Sequence, residues 1–295
     1  MRETAPAIGF IGLGVMGGSM CRNVVQLHAG PVCAFDMNPA ALEEIRLAGG
    51  LVAASVADVA AGADVIFLSL PGGKQVAEVC AAIAAAARPG TVVADLSTTG
   101  VDEARKVAAM LAASGIEFAD TPVARTRQAA IDGTLAIMVG APDALFERLV
   151  PLLGYMGSDI THCGGVGCGQ VVKLINNTLL FENVAAIAEM MVVAERAGVS
   201  PAKLVEAVSL GSGDSFALRN HGLKAMVPRS FPEKAFPSPY ALKDLGYAIE
   251  LAESVGVEPR LPRLAAEYYR AAVEQGLGEK YFPAIIEVID KDKPQ

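Results

Sequence analysis

The sequence has no tryptophan, few aromatic residues and fewer basic than acidic side chains. Aromatic residues make up 5% of the chain and hydrophobic residues 53%, so its core must be built mainly from aliphatic side chains. The formal net charge of −8 argues against general nucleic-acid binding but allows a local pocket for a small anion. No uninterrupted apolar run reaches the roughly 18 residues of a membrane-spanning helix. We therefore expect a soluble, cytoplasmic protein without a membrane partner.

Cysteine and histidine are too few and too scattered for a metal centre or a disulfide framework. The five cysteines are odd in number and irregularly spaced, and Cys163 and Cys168 lie five positions apart, which does not match the close-paired zinc pattern. Reduced thiols are expected instead. The three histidines, His28, His162 and His221, have no ligand partner at metal-binding spacing, so no metal is predicted.

The order of apolar and helical segments differs between the two halves of the chain. Predicted strands occupy residues 7–11, 31–35, 65–70, 92–95, 117–120 and 135–139, with helices at 17–27, 39–48, 75–87 and 101–113. Strands that alternate with helices indicate an α/β fold with a doubly wound parallel sheet. Further helices are predicted at 169–197, 201–210, 240–255, 261–275 and 281–289. The sequence thus predicts an α/β domain over 1–167, an all-helical domain over 168–295, and a frayed tail, DKDKPQ.

A glycine-rich turn follows the first predicted strand. Residues 12–17 read GLGVMG, and this G-x-G-x-x-G pattern lies between a strand and a helix, which is the context of a Rossmann dinucleotide site. Gly12 permits the tight turn, Gly14 lets the backbone approach a pyrophosphate, and Gly17 lets the helix pack on the strand. The pyrophosphate is expected at the helix N-terminus, where free N–H groups point outward.

An acidic residue ends the second predicted strand. Asp36 lies 19 residues after Gly17, and its carboxylate is suited to accept hydrogen bonds from the adenosine ribose hydroxyls. It would repel a 2′-phosphate, and no arginine follows it directly. The sequence therefore favours NAD over NADP.

A polar group interrupts the long apolar helix that follows residue 167. Lys173, Asn176 and Asn177 are spaced i, i+3 and i+4, so they share one helical face, where burial without partners is costly. A lysine there can transfer a proton while a nicotinamide accepts or donates a hydride, and as an ammonium it stabilises a developing alkoxide. The alternative is a lysine that extends to solvent beside two capping amides.

Five ordered motifs, which span almost the whole chain, resemble the β-hydroxyacid dehydrogenase family. That family includes 3-hydroxyisobutyrate dehydrogenases and tartronate semialdehyde reductases. The motifs are GFIGLGVMG at 9–17, LSLPGG at 68–73, DLST at 95–98, GCGQVVKLINN at 167–177 and KDLGYAIELA at 243–252. The resemblance implies a Rossmann domain, a long interdomain helix and a helical domain that packs in homodimers or homotetramers.

The resemblance also implies roles for individual residues. Lys173 is the expected catalytic lysine, with Asn177 against it or the substrate, Asn176 beside it, and Asp244 completing the substrate site. The expected cofactor contacts, beside the three glycines, are Val15, Met16, Asp36, Leu70, Pro71, Thr98 and Lys243.

One turn departs from the common family pattern. Many members carry Ser-Gly-Gly where this chain has Ala124, Arg125 and Thr126, and this replacement resembles the sulfolactaldehyde reductase branch, which has Gly-Arg-Thr. An arginine offers a planar fork that holds a carboxylate or sulfonate by two hydrogen bonds. Arg125 and Thr126 are therefore predicted to bind the acidic end of the substrate, and Arg127 is a weaker candidate. The alternative is a surface ion pair, for example with Asp132.

The function expected from these features is the NAD-dependent interconversion of a short, acid-bearing primary alcohol and its semialdehyde. The alcohol is a 3-hydroxyacid or its sulfonate analogue, and a 3-hydroxyisobutyrate or tartronate semialdehyde type of enzyme is the alternative within the family. Two other classes remain open: an imine reductase relative, and a dinucleotide-binding regulator without turnover. Lys173 disfavours both.

Overall fold

The computed structural model describes residues 5–233 and 235–290. The chain divides into two compact units, Met1–Lys173 and Leu174–Gln295. The division falls inside one long helix, six residues after the boundary predicted at 167/168. Five residues of the predicted tail lie outside the described residues, but Asp290, its first residue, pairs with Arg196 and Arg229 and is not frayed.

The first unit alternates strands and helices. Its strands are β1 Ile8–Ile11, β2 Val32–Phe35, β3 Leu51–Val52, β4 Val65–Leu68, β5 Val92–Asp95, β6 Glu117–Asp120, β7 Val123–Ala124, β8 Leu135–Gly140 and β9 Gly157–Gly164. Its helices are α1 Gly17–Leu27, α2 Pro39–Leu47, α3 Val56–Gly62, α4 Gly73–Ala86, α5 Val101–Ala112, α6 Arg127–Ile131 and α7 Asp143–Leu153.

The strands form one sheet in the order β3-β2-β1-β4-β5-β6-β8-β7, and β9 pairs with β8. The strands from β3 to β6 are parallel, with Ile8 opposite both Val32 and Val65. The α/β prediction is confirmed, but the sheet is mixed, because β8 runs antiparallel to β6 and β7. The chain order reverses between β1 and β4, and the glycine turn leaves β1 at this point.

Helices cover both faces of the sheet. Phe10 and Phe67 point to the core shared with α1, α2, α6 and α7. Ile11 and Ile66 point to the opposite core, shared with α3, α4 and α5. Neighbouring strand residues thus serve opposite cores, as the period of two in a strand requires, and burial on both sides explains the continuous apolar runs.

The second unit is helical. The helix α8, Cys168–Arg196, enters it and is followed by α9 Pro201–Val208, a π-helix Leu218–Met226, α10 Ser238–Ser254, α11 Arg260–Glu274, a 3₁₀ turn Phe282–Ala284 and α12 Ile285–Ile289. Its core centres on Phe181, Tyr269 and Phe282, whose rings meet edge to face or tilted. Two isolated bridges, Glu233 with Lys280 and Pro237 with Tyr281, are its β-type pairings among the described residues.

Several elements escaped sequence prediction, two of them for identifiable reasons. The edge strand β9 is mostly half-exposed or exposed, so it lacks an apolar pattern. Helix α7 contains Pro151, a residue that disfavours the interior of a helix. The π-helix Leu218–Met226 was also not predicted, and five of its residues are buried.

Candidate active site

The glycine turn has three glycines with different local requirements. Gly12 adopts φ +94°, and a Cβ placed there would lie 2.2 Å from the Ser69 carbonyl oxygen. A Cβ on Gly17 would lie 2.2 Å from the Gly12 carbonyl oxygen. A Cβ on Gly14 would meet nothing within 4 Å. A side chain at Gly12 or Gly17 would thus overlap the protein's own backbone, whereas the space beside Gly14 is open.

The N-terminus of α1 opens onto this turn without a side-chain cap. The N-cap residue Met16 makes no side-chain hydrogen bond to the helix, and the first turn contains no acidic residue. Free N–H groups and the helix dipole at such an end favour an anion. Together with the clear space beside Gly14, this end fits the pyrophosphate of a dinucleotide.

Asp36 is linked directly to the glycine turn. Its Oδ2 accepts a hydrogen bond of 2.6 Å from the Leu13 N–H, and its Oδ1 accepts one of 2.7 Å from the Asn38 N–H. Each carboxylate oxygen keeps a further lone pair for a ribose hydroxyl. The Asp36 carboxylate therefore fixes the glycine turn to the end of β2 and also places a negative charge beside that turn.

The two predicted cofactor-side loops meet at the carboxyl ends of β4 and β5. The Leu70 N–H donates to Ser97 Oγ at 2.9 Å, and the Ser97 N–H donates to Asp95 Oδ1 at 3.0 Å. Leu70 and Thr98 are half-buried and Pro71 is exposed. The structure thus brings these loops, although distant in sequence, to the same edge of the sheet as the glycine turn.

The sequence did not indicate the residues that anchor the start of α8. Asp120, fully buried at the end of β6, accepts hydrogen bonds from the N–H groups of Gly167 at 2.6 Å and Gln170 at 2.8 Å. The buried Gln170 side chain donates to the Ser97 carbonyl and accepts from the Thr99 N–H. Burial raises the pKa of Asp120, and these backbone N–H groups oppose the rise. Two features of the sequence could have indicated these anchors: the acidic residue at the end of β6 and the glutamine in GCGQ.

Lys173 lies one turn beyond Gln170 on the same helix and is 8% exposed. An ammonium group is rarely buried to this extent, so the snorkelling alternative is poorly supported. Because Gln170 bonds the first turn of α8 to the segment that follows β5, and Asp120 bonds it to the end of β6, the backbone that carries Lys173 is held at the carboxyl edge of the sheet.

A polar chain joins α8 to α10 within the second unit. The Asn177 Nδ2 donates to Asp244 Oδ2 at 2.7 Å, and the Asn176 Nδ2 donates to Asn177 Oδ1 at 3.1 Å. Lys243 Nζ lies 3.3 Å from Asp244 Oδ1 and 5.6 Å from the centre of the Tyr247 ring. Four residues predicted for the site, namely Asn176, Asn177, Lys243 and Asp244, are therefore neighbours. Asn177 and Asp244 are buried, and Asn176 is exposed.

The arginine turn has a different environment from the one expected. Arg125 has φ +88°, a region that favours glycine, which explains why Ser-Gly-Gly suits this turn. Its guanidinium donates to the Thr134 carbonyl at 2.6 Å and pairs with Asp159 at 2.8 Å. Thr126 is exposed and precedes the short helix α6.

The surface ion pair suggested as the alternative does exist, but its partner is Asp159. Asp132 instead accepts a hydrogen bond from Gln128. The neighbouring Arg127 is exposed, and no ion pair to it is present among the described residues.

Two further observations bear on the class of protein. Across residues 5–233 and 235–290, no group of three or more His, Cys, Asp or Glu side chains is placed to hold a metal ion. By length and composition, α8 is apolar enough to cross a membrane, with a mean hydropathy of 1.3 in its best window. The core helix of a soluble protein passes the same test.

Two family models match consecutive parts of the chain. The NAD-binding domain of 6-phosphogluconate dehydrogenase matches residues 7–165. A second family, described as NAD-binding of NADP-dependent 3-hydroxyisobutyrate dehydrogenase, matches residues 167–289. Together they cover both units and agree with the dinucleotide features of the glycine turn.

Known proteins match along nearly the full length. The 2-(hydroxymethyl)glutarate dehydrogenase of Eubacterium barkeri is 34% identical over 97% of this chain and 95% of its own. A solved structure of Mycobacterium tuberculosis 3-hydroxyisobutyrate dehydrogenase with L-serine is 32% identical, covers 97% of this chain and 100% of that one, and superposes with a TM-score of 0.90.

Imine reductases share the fold at much lower identity. The structure from a Pseudomonas species is 16% identical over 97% of this chain and 100% of that one, with a TM-score of 0.63. The two family models and the full-length matches to dehydrogenases at 32% and 34% identity show that the chain belongs to the β-hydroxyacid dehydrogenase family and is an NAD(P)-dependent oxidoreductase.

Proposed function

We propose that this protein uses NAD to interconvert a short primary alcohol bearing an acid group and the corresponding semialdehyde. The observation that carries the proposal is the buried Lys173 on a helix whose first turn is bonded, through Gln170 and Asp120, to the segment that follows β5 and to the end of β6. In open α/β sheets, ligands bind outside the carboxyl ends of the strands. A buried cationic group beside that edge is suited to proton transfer.

Lys173 acts as the general acid and base in this proposal. Bound NAD supplies the acceptor or donor of the hydride. Lys173 Nζ gives a proton to the carbonyl oxygen during reduction and removes it from the hydroxyl during oxidation, and as an ammonium it stabilises the alkoxide. Asn177, one turn further on, holds the substrate hydroxyl, and its own amide is fixed by Asp244.

The proposed cofactor contacts follow the edge of the sheet. They are Gly12, Gly14, Val15, Met16, Gly17, Asp36, Leu70, Pro71 and Thr98. Lys243 of the second unit is proposed as a further cofactor contact. The choice of NAD over NADP rests on Asp36, whose charge is held against the glycine turn by two backbone N–H groups. Tighter binding of NAD(H) than NADP(H) by at least about tenfold, or about 1.4 kcal/mol, is expected.

The acid group of the substrate is proposed to bind at the arginine turn, with Arg125 and Thr126 as its ligands. Asn176, Asn177 and Asp244 of the second unit are proposed as further substrate-binding residues. Arg125 is paired with an exposed aspartate, and such exposed pairs contribute little, so a substrate anion can replace Asp159. The names of the relatives support a carboxylate-bearing hydroxyacid. The Arg-Thr turn supports a sulfonate analogue, as in the sulfolactaldehyde reductase branch.

The remaining assignments are proposed on the same basis. We assign the dinucleotide-binding domain to 1–167 and the substrate and oligomerisation domain to 168–295. A soluble, cytoplasmic homo-oligomer is the expected form, with a small anionic substrate as the ligand.

The test is a rate measurement with a panel of aldehydes. NADH oxidation should be followed with short semialdehydes that end in a carboxylate or a sulfonate, and with a neutral aldehyde of equal length. Lys173→Ala should lower kcat by on the order of 10²–10⁴, the range for loss of a general acid–base group, and NAD affinity should be nearly unchanged. The matched control is Lys203→Ala, because Lys203 is an exposed lysine paired with Glu206 on α9.

Wild-type turnover by Lys173→Ala would remove this lysine from the mechanism. Reduction of a cyclic imine, with no turnover of any semialdehyde in the panel, would favour the imine reductase alternative. NAD binding without turnover of either class would favour the regulator.

A further inference from the structure

Glu103 joins the starts of the two helices that follow the cofactor-side loops. It occupies the third position of α5, and its Oε2 accepts a hydrogen bond of 3.1 Å from the N–H of Gly100, the N-cap residue of that helix. The same carboxylate lies against Gly73, the first residue of α4. The Glu103 side chain is half-buried. One carboxylate therefore contacts the N-termini of both α4 and α5.

The absence of a side chain at Gly73 makes room for this carboxylate. A Cβ placed on Gly73 would lie 1.9 Å from Glu103 Oε2 and 2.5 Å from Glu103 Cδ. The φ of Gly73 is not in the left-handed region, so the backbone does not require glycine there. The N-cap residue of α4, Gly72, forms no side-chain cap, and the first turn of α4 contains no acidic residue. Glu103 thus supplies from α5 the negative charge that the positive end of α4 lacks on its own helix.

This contact links the two cofactor-side loops at their helix ends. Loop 69–72 joins β4 to α4, and loop 96–100 joins β5 to α5. Near the strand ends the Leu70 N–H donates to Ser97 Oγ at 2.9 Å, which is a first link between the loops. Glu103 adds a second link beyond Pro71, which is exposed. Loop 69–72 is therefore held on both sides of Pro71.

The charge of Glu103 also distinguishes these helix ends from that of α1. A carboxylate at the N-termini of α4 and α5 offsets the partial positive charge there, whereas the first turn of α1 has neither an acidic residue nor a side-chain cap. Of these three helix ends, that of α1 is the one that favours an anion. This difference agrees with a pyrophosphate at the glycine turn.

We propose that Glu103 is a positioning residue for the dinucleotide, and that its carboxylate fixes the two loops in the form that binds the cofactor. The inference rests on the cofactor contacts proposed above for Leu70, Pro71 and Thr98, which these loops carry. Glu103 acts through the loops, so its loss should weaken cofactor binding without unfolding the protein.

Two variants remove the contact from opposite sides, and titration calorimetry with NADH measures the result. Glu103→Ala deletes the carboxylate. Gly73→Ala displaces it, because the new methyl group takes its place and the flexible glutamate side chain must move. Each variant should weaken NADH binding by about 3- to 30-fold, because loss of one capping carboxylate reduces the binding-competent fraction of the protein by about that factor. The double variant should bind NADH like either single variant, since the contact is already absent.

The matched control is Asp102→Ala, which removes the neighbouring carboxylate in the same turn of α5. Asp102 is exposed and lies 3.8 Å from Arg105, so its loss should leave NADH affinity unchanged. Glu103→Gln keeps an oxygen that can accept from the Gly100 N–H, and it should lose less affinity than Glu103→Ala. This partial rescue separates a positioning role from a general loss of stability.

A folded Glu103→Ala or Gly73→Ala protein that binds NADH like the wild type would overturn the proposal. So would a double variant whose loss in affinity is the product of the two single losses. If Glu103→Ala does not fold, Gly73→Ala provides the same test, since the three atoms nearest its methyl group belong to the flexible side chain of Glu103.

Repeating the titrations with NADPH separates this inference from the proposed choice of NAD. A wild type that prefers NADPH would contradict the proposed cofactor. Glu103→Ala should weaken the binding of NADH and NADPH by the same factor, because the loops that it holds are distinct from Asp36, on which the choice between the two cofactors depends.

Discussion

Gly14 and Gly17 belong to one motif, but the structure predicts opposite consequences when each is replaced by alanine. A methyl group on Gly17 would lie 2.2 Å from the Gly12 carbonyl oxygen, and backbone on both sides must move to relieve the overlap. Overpacking of this kind costs about 1–3 kcal/mol. A methyl group on Gly14 meets nothing within 4 Å, and its φ is not in the left-handed region. Gly14→Ala should therefore leave the free energy of unfolding unchanged or raise it by about 0.4–1 kcal/mol, because the unfolded chain loses freedom.

For NAD affinity, in contrast to stability, Gly14→Ala is the variant that should show the loss. If the space outside Gly14 admits the pyrophosphate, its methyl group should weaken NAD binding by at least about tenfold, or about 1.4 kcal/mol, in a fully folded protein. Urea denaturation without cofactor and titration calorimetry with NAD measure the two quantities independently. A Gly14→Ala variant that binds NAD like the wild type, or that is destabilised as much as Gly17→Ala, would refute the reasoning.

Three further predictions concern the cofactor, the substrate and pH. Asp36→Ala should reduce the preference for NAD(H) over NADP(H), which calorimetry measures as a ratio of dissociation constants. An unchanged ratio would mean that the carboxylate serves mainly to accept the hydrogen bond from the Leu13 N–H. Arg125→Ala should lower kcat/KM for an anionic semialdehyde by about 10- to 150-fold, since a charge-assisted contact contributes roughly 1.5–3 kcal/mol, and should change little for a neutral aldehyde. Arg127→Ala should lower kcat/KM less than Arg125→Ala does. If Arg125→Ala lowers kcat/KM equally for both substrates, the role of Arg125 is to bind Asp159 and Thr134. Burial, and secondarily Lys224, lower the pKa of His221 to about 4, so the neutral ring stabilises the fold above pH 6.5 and this contribution is lost as pH falls through 4. The free energy of unfolding should drop by about 1 kcal/mol from pH 7 to 5.5 through this residue, and a drop of the same size in His221→Gln would contradict the assignment.

Much of the fold could be predicted because local signals agreed with the tertiary structure. Helix α1 and the strands β5 and β6 have the predicted bounds. Two of the elements that were missed have a contrary local signal: α7 contains a proline, and β9 is largely exposed. Burial on both faces makes the central strands uniformly apolar, whereas an edge strand is defined by its hydrogen-bonding partner and not by its side chains.

The sequence by itself determined the dinucleotide turn, the acid at the end of β2 and the single lysine motif on α8, because each depends on residue types at fixed short spacing. Tertiary structure decided what those residues contact. Asp120 and Gln170 became the anchors of α8, since strand ends that are far apart along the chain meet at one edge of the sheet. It also paired Arg125 with Asp159, 34 positions away, because β8 lies between the arginine turn and β9. Short-range spacing shows which chemistry a segment can perform, but the partner of a charged side chain depends on the folded sheet.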